Sequence, residues 1–233
     1  MRIWDIHPGY LNRQSLLGEH RELHGIVSII KNNKKGYSRH PETLRWVNHG
    51  WAIKQRHKLL VAEMSLRGYK DSSPVNLRAN KHHWPDTFID QPYRQLEILK
   101  GKYSNKEPGR IPLPNTARML WHHHKFSVLA RGGKYYSQCE KRISGDTTEQ
   151  DFRDLTDQLT LILRIQPSPG GIENSLRTMW RWASCTHPEE TITMKSASPK
   201  KILTELQRIG RGDGEPELII STALSELAGW MAR

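Results

Sequence analysis

Cysteine is almost absent: Cys139 and Cys185 are the two in 233 residues. They are too few for a disulfide framework and match no zinc-binding spacing, which reads as a protein of a reducing cytoplasm, nucleoid-associated if prokaryotic. No apolar run approaches the ~18–20 residues needed to span a bilayer. Asp5, His7 and Pro8 stand where a signal peptide would need an apolar stretch. No basic amphipathic helix with an exposed aromatic face is found, which argues against membrane-surface binding. Strand pairs, internal repeats, low-complexity tracts and a paired-carboxylate metal motif are missing too. What is left is a chain of mean hydropathy −0.72, long enough to bury a substantial core.

Acidic residues are scarce in one part of the chain only. Residues 1–130 hold 22 Lys+Arg against 10 Asp+Glu, whereas residues 131–233 hold 14 of each. Eleven of the twelve histidines also fall in the first part. A basic excess confined to one segment suits a polyanion-binding module, because each neutralised phosphate releases counterions. The break suggests two units: a basic helical domain over 1–130 and a neutral helical domain over 131–233.

Periodicity predicts an all-α fold. Leu16, Leu23, Val27 and Ile30 line one face of a helix over ~10–31, with Glu22 at the margin of the stripe and Arg21 pointing nearly the opposite way. Further helices are expected from Pro41 or Glu42, over ~51–67 ending at Gly68, over ~92–100, and over Asn115–Arg131. Residues 69–92, rich in proline, read as an extended loop. Beyond Gly132-Gly133, helices are expected at ~134–142, ~147–165, ~171–184, ~198–209 and ~216–231. Lys54, Arg56 and Lys58 are assigned to the outward face of the ~51–67 helix.

The N-terminal residues carry a more specific signal. Met1-Arg2-Ile3-Trp4, followed by Leu16-Leu17-Gly18-Glu19-His20-Arg21-Glu22-Leu23, resembles the start of the pyrimidine-dimer DNA glycosylase (endonuclease V) family of the T-even phages. Lys35-Gly36-Tyr37 to His40-Pro41 and the run Leu60-Val61-Ala62-Glu63 to Arg67-Gly68-Tyr69 are similar to the family in order and spacing. The resemblance is good over ~1–70 and loose over 70–130. It implies that a terminal α-amine is the nucleophile and that Glu22 is the catalytic carboxylate. Met1 takes the nucleophile's place if it is retained, as Arg2 behind it favours. Gly25 departs from the family, which has a DNA-gripping arginine there.

The chemistry suits these groups. An α-amine has a pKa near ~7.7–8.0 against ~10.4 for lysine, so roughly 10–20% of it is unprotonated at neutral pH. Attack on deoxyribose C1′ expels the base and leaves an imine, and a carboxylate then removes the 2′ proton. By resemblance Arg2 and Arg21 hold phosphates beside the lesion, Arg2 within the catalytic set. Lys34, Lys35, Arg39, Arg45, Lys54, Arg56, His122 and Lys125 are further DNA-contact candidates. Trp51, Trp84 and Trp121 are weighed as wedges into duplex DNA against a place in the core.

The expected partner is double-stranded DNA, and neither a cofactor nor a metal is expected. His122-His123-His124 does not suggest a metal site, because consecutive helical residues point ~100° apart. The reading is a DNA glycosylase with AP-lyase activity. A non-catalytic DNA-binding protein, a glycosylase for another damaged or modified base, and a hydrolytic nuclease or RNA-processing enzyme using Glu22 and histidines remain alternatives.

Overall fold

In the computed structural model, which describes residues 1–78, 83–183, 196–211 and 216–231, all regular structure is helical. A short 3-10 turn, Pro8–Tyr10, leads into α1 (Arg13–Lys31), opened by the Asn12 side chain accepting from the Ser15 amide. His40 caps α2 (Pro41–Trp46), with proline in the first turn where its missing N–H costs nothing. α3 (Gly50–Leu66) follows, and the chain leaves it through Gly68 at φ +82°, a conformation that favours glycine.

Residues 69–78 and 83–91 form no helix, as expected. Then come α4 (Pro92–Lys102), α5 (Ala117–Leu129, capped by Thr116), α6 (Gly133–Arg142) and α7 (Glu149–Leu163), the last opened by a reciprocal capping box between Thr148 and Asp151. α8 (Pro169–Ala183), α9 (Pro199–Arg211), α10 (Pro216–Ile219) and α11 (Ala223–Met231) complete the described chain. The single helix expected over ~216–231 is thus two. The chain breaks where the Thr222 amide and hydroxyl both donate to the His123 carbonyl.

α3 is the central element. It packs against α1 and against α11, and the Pro8–Tyr10 turn also lies on it. Gly229 of α11 permits this approach: a Cβ there would lie 2.9 Å from the Leu59 side chain and 3.2 Å from its Cα. Coverage on several faces explains why Gln55, Arg56, His57 and Glu63 of α3 are all buried.

Among the described residues two apolar clusters form, and both cross residue 130. The first joins Ile3, Trp4, Leu16, Leu23, Ile53 and Leu60 to Phe152, Leu155 and Leu159 of α7. The second joins Leu66 and Phe126 to α8, α9 and α11. The composition break therefore does not mark a break in packing.

Buried ion pairs add to this packing, and the Asp5–Arg164 pair crosses residue 130. Glu63 accepts from Arg67 and Arg110, while Asp5 pairs with Arg45 and with Arg164. Burial alone would raise Glu63, but Arg110 and Arg67 hold it well below the usual carboxylate range. No helix among the described residues is long and apolar enough to cross a membrane.

Candidate active site

The chain start is held against α1. The Trp4 amide donates to Glu19 Oε1 at 3.3 Å and the Asp5 amide to Gln95 Oε1 at 2.7 Å. Since Asn12 sits at the N-terminus of α1 and Trp4 lies opposite Glu19, the segment runs antiparallel to the helix. Arg2 is fixed by Asp90 at 2.5 Å and lies over the Trp4 ring at 4.8 Å, while its buried Nη1 has no hydrogen-bond partner.

Two glutamates one turn apart differ completely in role. Glu19 is 2% exposed and locked to Arg56, whose Nε and Nη2 donate to its two oxygens at 2.7 and 2.9 Å. Burial raises its pKa, and the Arg56 charge offsets this in part. Glu22 is half-buried, and among the described residues neither it nor the Met1 amine has a hydrogen-bond or ion-pair partner. Both groups are therefore available to an outside molecule.

The surface around Glu22 is cleared. Gly18 and Gly25 stand four residues before and three after it on the same side of α1, and a Cβ at either would meet nothing within 4 Å. Internal packing does not require these glycines, although each costs an exposed helix about 0.8–1 kcal/mol relative to alanine. α1 and the turn after it are cationic: Arg13, Arg21, Lys31, Lys34, Lys35 and Arg39 are exposed, and Glu19 and Glu22 are the only acidic residues between positions 13 and 40. With Glu19 sealed inside, Glu22 is the one accessible acid of this stretch.

The structure divides the remaining DNA-contact candidates. Arg21, Lys34, Lys35 and Arg39 are exposed on α1 and the turn after it, and Lys54 is half-buried on α3. Arg45 and Arg56 are corrections to the sequence reading. Arg45 is spent on Asp5 and Glu42 beneath the surface, and Arg56 on Glu19 and the Ile6 carbonyl, so neither can reach a phosphate.

His122 and Lys125 lie on α5, which packs on α6, α7, α8 and α11 rather than on α1. His122 sits 3.6 Å from Glu217, and Lys125 lies over Phe126 and Trp182, so the structure does not bring them to Glu22. His123 and His124 are buried, both hydrogen-bonded to the Tyr10 hydroxyl. Trp121 is buried against Tyr136, Trp51 packs between Trp84 and Trp230, and Trp84 donates its Nε1 hydrogen to the Arg164 carbonyl, so all three are packing residues.

Two features were missed in the sequence. Tyr37 is 71% exposed and held at φ +56° between Lys35 and Arg39, an aromatic ring presented on the basic turn. On the opposite flank of α1, His20 and His24 meet His57 and Asp71. The signal for half of this group was the four-residue spacing of the two α1 histidines; the α1–α3 pairing that adds the rest is a tertiary fact.

Residues 1–77 match the family model of the pyrimidine dimer DNA glycosylases, a family of DNA repair enzymes. The match holds the whole N-terminal segment, α1, α2 and α3. No curated protein and no solved structure matches the chain.

Proposed function

We propose that the protein is a DNA glycosylase with associated AP-lyase activity on damaged duplex DNA, a cyclobutane pyrimidine dimer being the first substrate to test. The observation that carries this reading is the unpaired Glu22 carboxylate: flanked by glycines, the one accessible acid of the basic stretch from Arg13 to Arg39, and on the helix against which the chain start lies. The family match over residues 1–77 supports it independently.

With Met1 retained, its amine attacks C1′ of the target deoxyribose, the base departs, and an imine joins the protein to the sugar. The imine acidifies the 2′ proton. Glu22 removes that proton, the electrons form the C2′–C3′ double bond, and the 3′ phosphate leaves. Water then hydrolyses the imine and restores the amine. This route draws on no metal. Reaching C1′ requires the nucleotide to leave the stack, at a cost of a few kcal/mol that a damaged base reduces. Arg2, oriented by Asp90 and Trp4, would bring its charge to the phosphates beside the chain start, and the exposed cations from Arg13 to Arg39 supply the backbone grip. The Tyr37 ring is placed to stack on an exposed base.

Glu22→Gln tests the assignment. On an abasic-site duplex it should bind with wild-type affinity and salt dependence while strand cleavage falls by about 10²–10⁴-fold, the usual contribution of a general base. Cleavage at the wild-type rate would remove Glu22 from the chemistry. Wild-type protein that binds but never cleaves either lesion would leave a DNA-binding protein without catalysis.

A further inference from the structure

Three imidazoles and a carboxylate converge on the side of α1 away from Glu22. His20 and His24, four residues apart, share one face of α1 and sit roughly 160° around its axis from Glu22. His57 reaches them from α3, and the turn through Gly68 brings Asp71 back to the same spot. The ring centroids are 4.7 Å apart for His20–His24, 5.0 Å for His24–His57 and 5.2 Å for His20–His57. One potential ligand atom from each of the four residues lies within 4.8 Å of all the others.

The polar atoms of this cluster are poorly satisfied. Nε2 of His20, of His24 and of His57 is buried with no hydrogen-bond partner. His20 Nε2 lies 3.3 Å from Asp71 Oδ1 and His57 Nε2 lies 3.6 Å from Oδ2, close in charge terms but not aligned as hydrogen bonds. A buried polar atom left unpaired is costly, and three facing one another is not how a core is ordinarily built. A single cation at their centre would accept all of them. Four ligands around zinc at ~2.0–2.1 Å lie about 3.4 Å apart, so side-chain rotations of about an ångström would close the shell.

The geometry points to a closed, structural site for one transition-metal dication, held by His20, His24, His57 and Asp71. Three nitrogen donors select a zinc-like ion over magnesium or calcium, which take oxygen shells. Four protein ligands fill a tetrahedral shell and leave no open position, which is the pattern of a structural ion. Its work is to clasp α1 to α3 and to the segment after it, from the side opposite Glu22.

The test needs no DNA chemistry. Full-length protein stripped with chelator is titrated with zinc by equilibrium dialysis, and with cobalt by visible absorption, alongside thermal unfolding. The expected result is one zinc per chain, tetrahedral cobalt bands, and a Tm that rises with zinc and falls on chelation. His24→Ala and Asp71→Asn, each checked for helical content, should lose the ion. His49→Ala, which alters the separate His49–His83 ring pair, should keep it. Folded wild-type protein that takes up no stoichiometric zinc overturns the proposal, as does binding that survives both ligand substitutions. Should His24→Ala fail to fold, Asp71→Asn, the near-isosteric change, decides alone.

Discussion

Charge at single positions sorts into two populations with opposite consequences. Arg56 is fully engaged by Glu19 beneath the surface, so Arg56→Ala leaves a buried carboxylate uncompensated and should cost about 3–5 kcal/mol of stability. The side chains of Lys34 and Lys35 are exposed and have no partner among the described residues. Replacing either with alanine should leave stability within ~0.5 kcal/mol. Each such change should lower the salt slope of duplex binding by about 0.9. Urea denaturation and binding isotherms at several salt concentrations would show both effects. An Arg56 variant of normal stability with a reduced salt slope would return that residue to the DNA interface. Sequence could not separate the two populations, because Arg56 and Lys54 look alike until α1 and the N-terminal segment are seen to engage Arg56.

At the scale of the helix, α1 gives up stability around Glu22. Gly25→Ala meets no neighbour within 4 Å, so it should raise stability by about 0.5–1 kcal/mol through helix propensity alone. If the cleared face admits a DNA backbone, the same change lowers lyase turnover. A variant that is more stable and fully active would show that the face needs no clearance.

Helix starts were legible to within a few residues: those expected at ~10, Asn115 and ~147 stand at Arg13, Ala117 and Glu149, where the side chains of Asn12, Thr116 and Thr148 cap the first turn. The margin position of Glu22 and the outward Arg21 also followed from the period of α1. What stayed hidden was whatever depends on a second helix: the sealing of Arg45 and Arg56, and the meeting of His20 and His24 with His57 and Asp71. The α10–α11 break was hidden too, because it answers to a carbonyl on α5.

For the whole molecule, the change in composition near residue 130 is a change in surface charge and not in packing. α7 completes the first core, α11 covers α3, and Arg110 spans from Glu63 to the Ile219 carbonyl. A chain ending at residue 130 should therefore lose cooperative unfolding, even though it holds the entire family match. A sharp thermal transition in that fragment would restore the two-unit reading.

Stability should also be acid-sensitive. Burial takes His7 to about 3 and His123 to about 4, and lowers His124 well below its ordinary value. The unfolded chain then holds more protons than the folded one below ~6.5, so the stabilisation is complete above that pH and is lost as pH falls toward the folded values. Each such proton contributes a slope of up to roughly 1.4 kcal/mol per pH unit. Glu19 and Glu42, raised by burial, act in the opposite sense and offset part of the loss. The depressed Glu63 adds to the loss once pH falls below the ordinary carboxylate range. Denaturation midpoints between pH 7 and pH 5 should fall, and a flat profile would mean these histidines are not held neutral.

The proposed nucleophile is the chain's own terminal amine. The most direct measurement is borohydride trapping on UV-irradiated duplex, with abasic-site and unirradiated duplexes alongside, followed by mass mapping of the adduct. A reduced imine at the Met1 amine is expected on irradiated and abasic DNA, and none on intact DNA. An adduct on abasic DNA alone would keep the lyase and move the search to another lesion; an adduct at an internal lysine, or none from folded protein, would contradict the Met1 assignment.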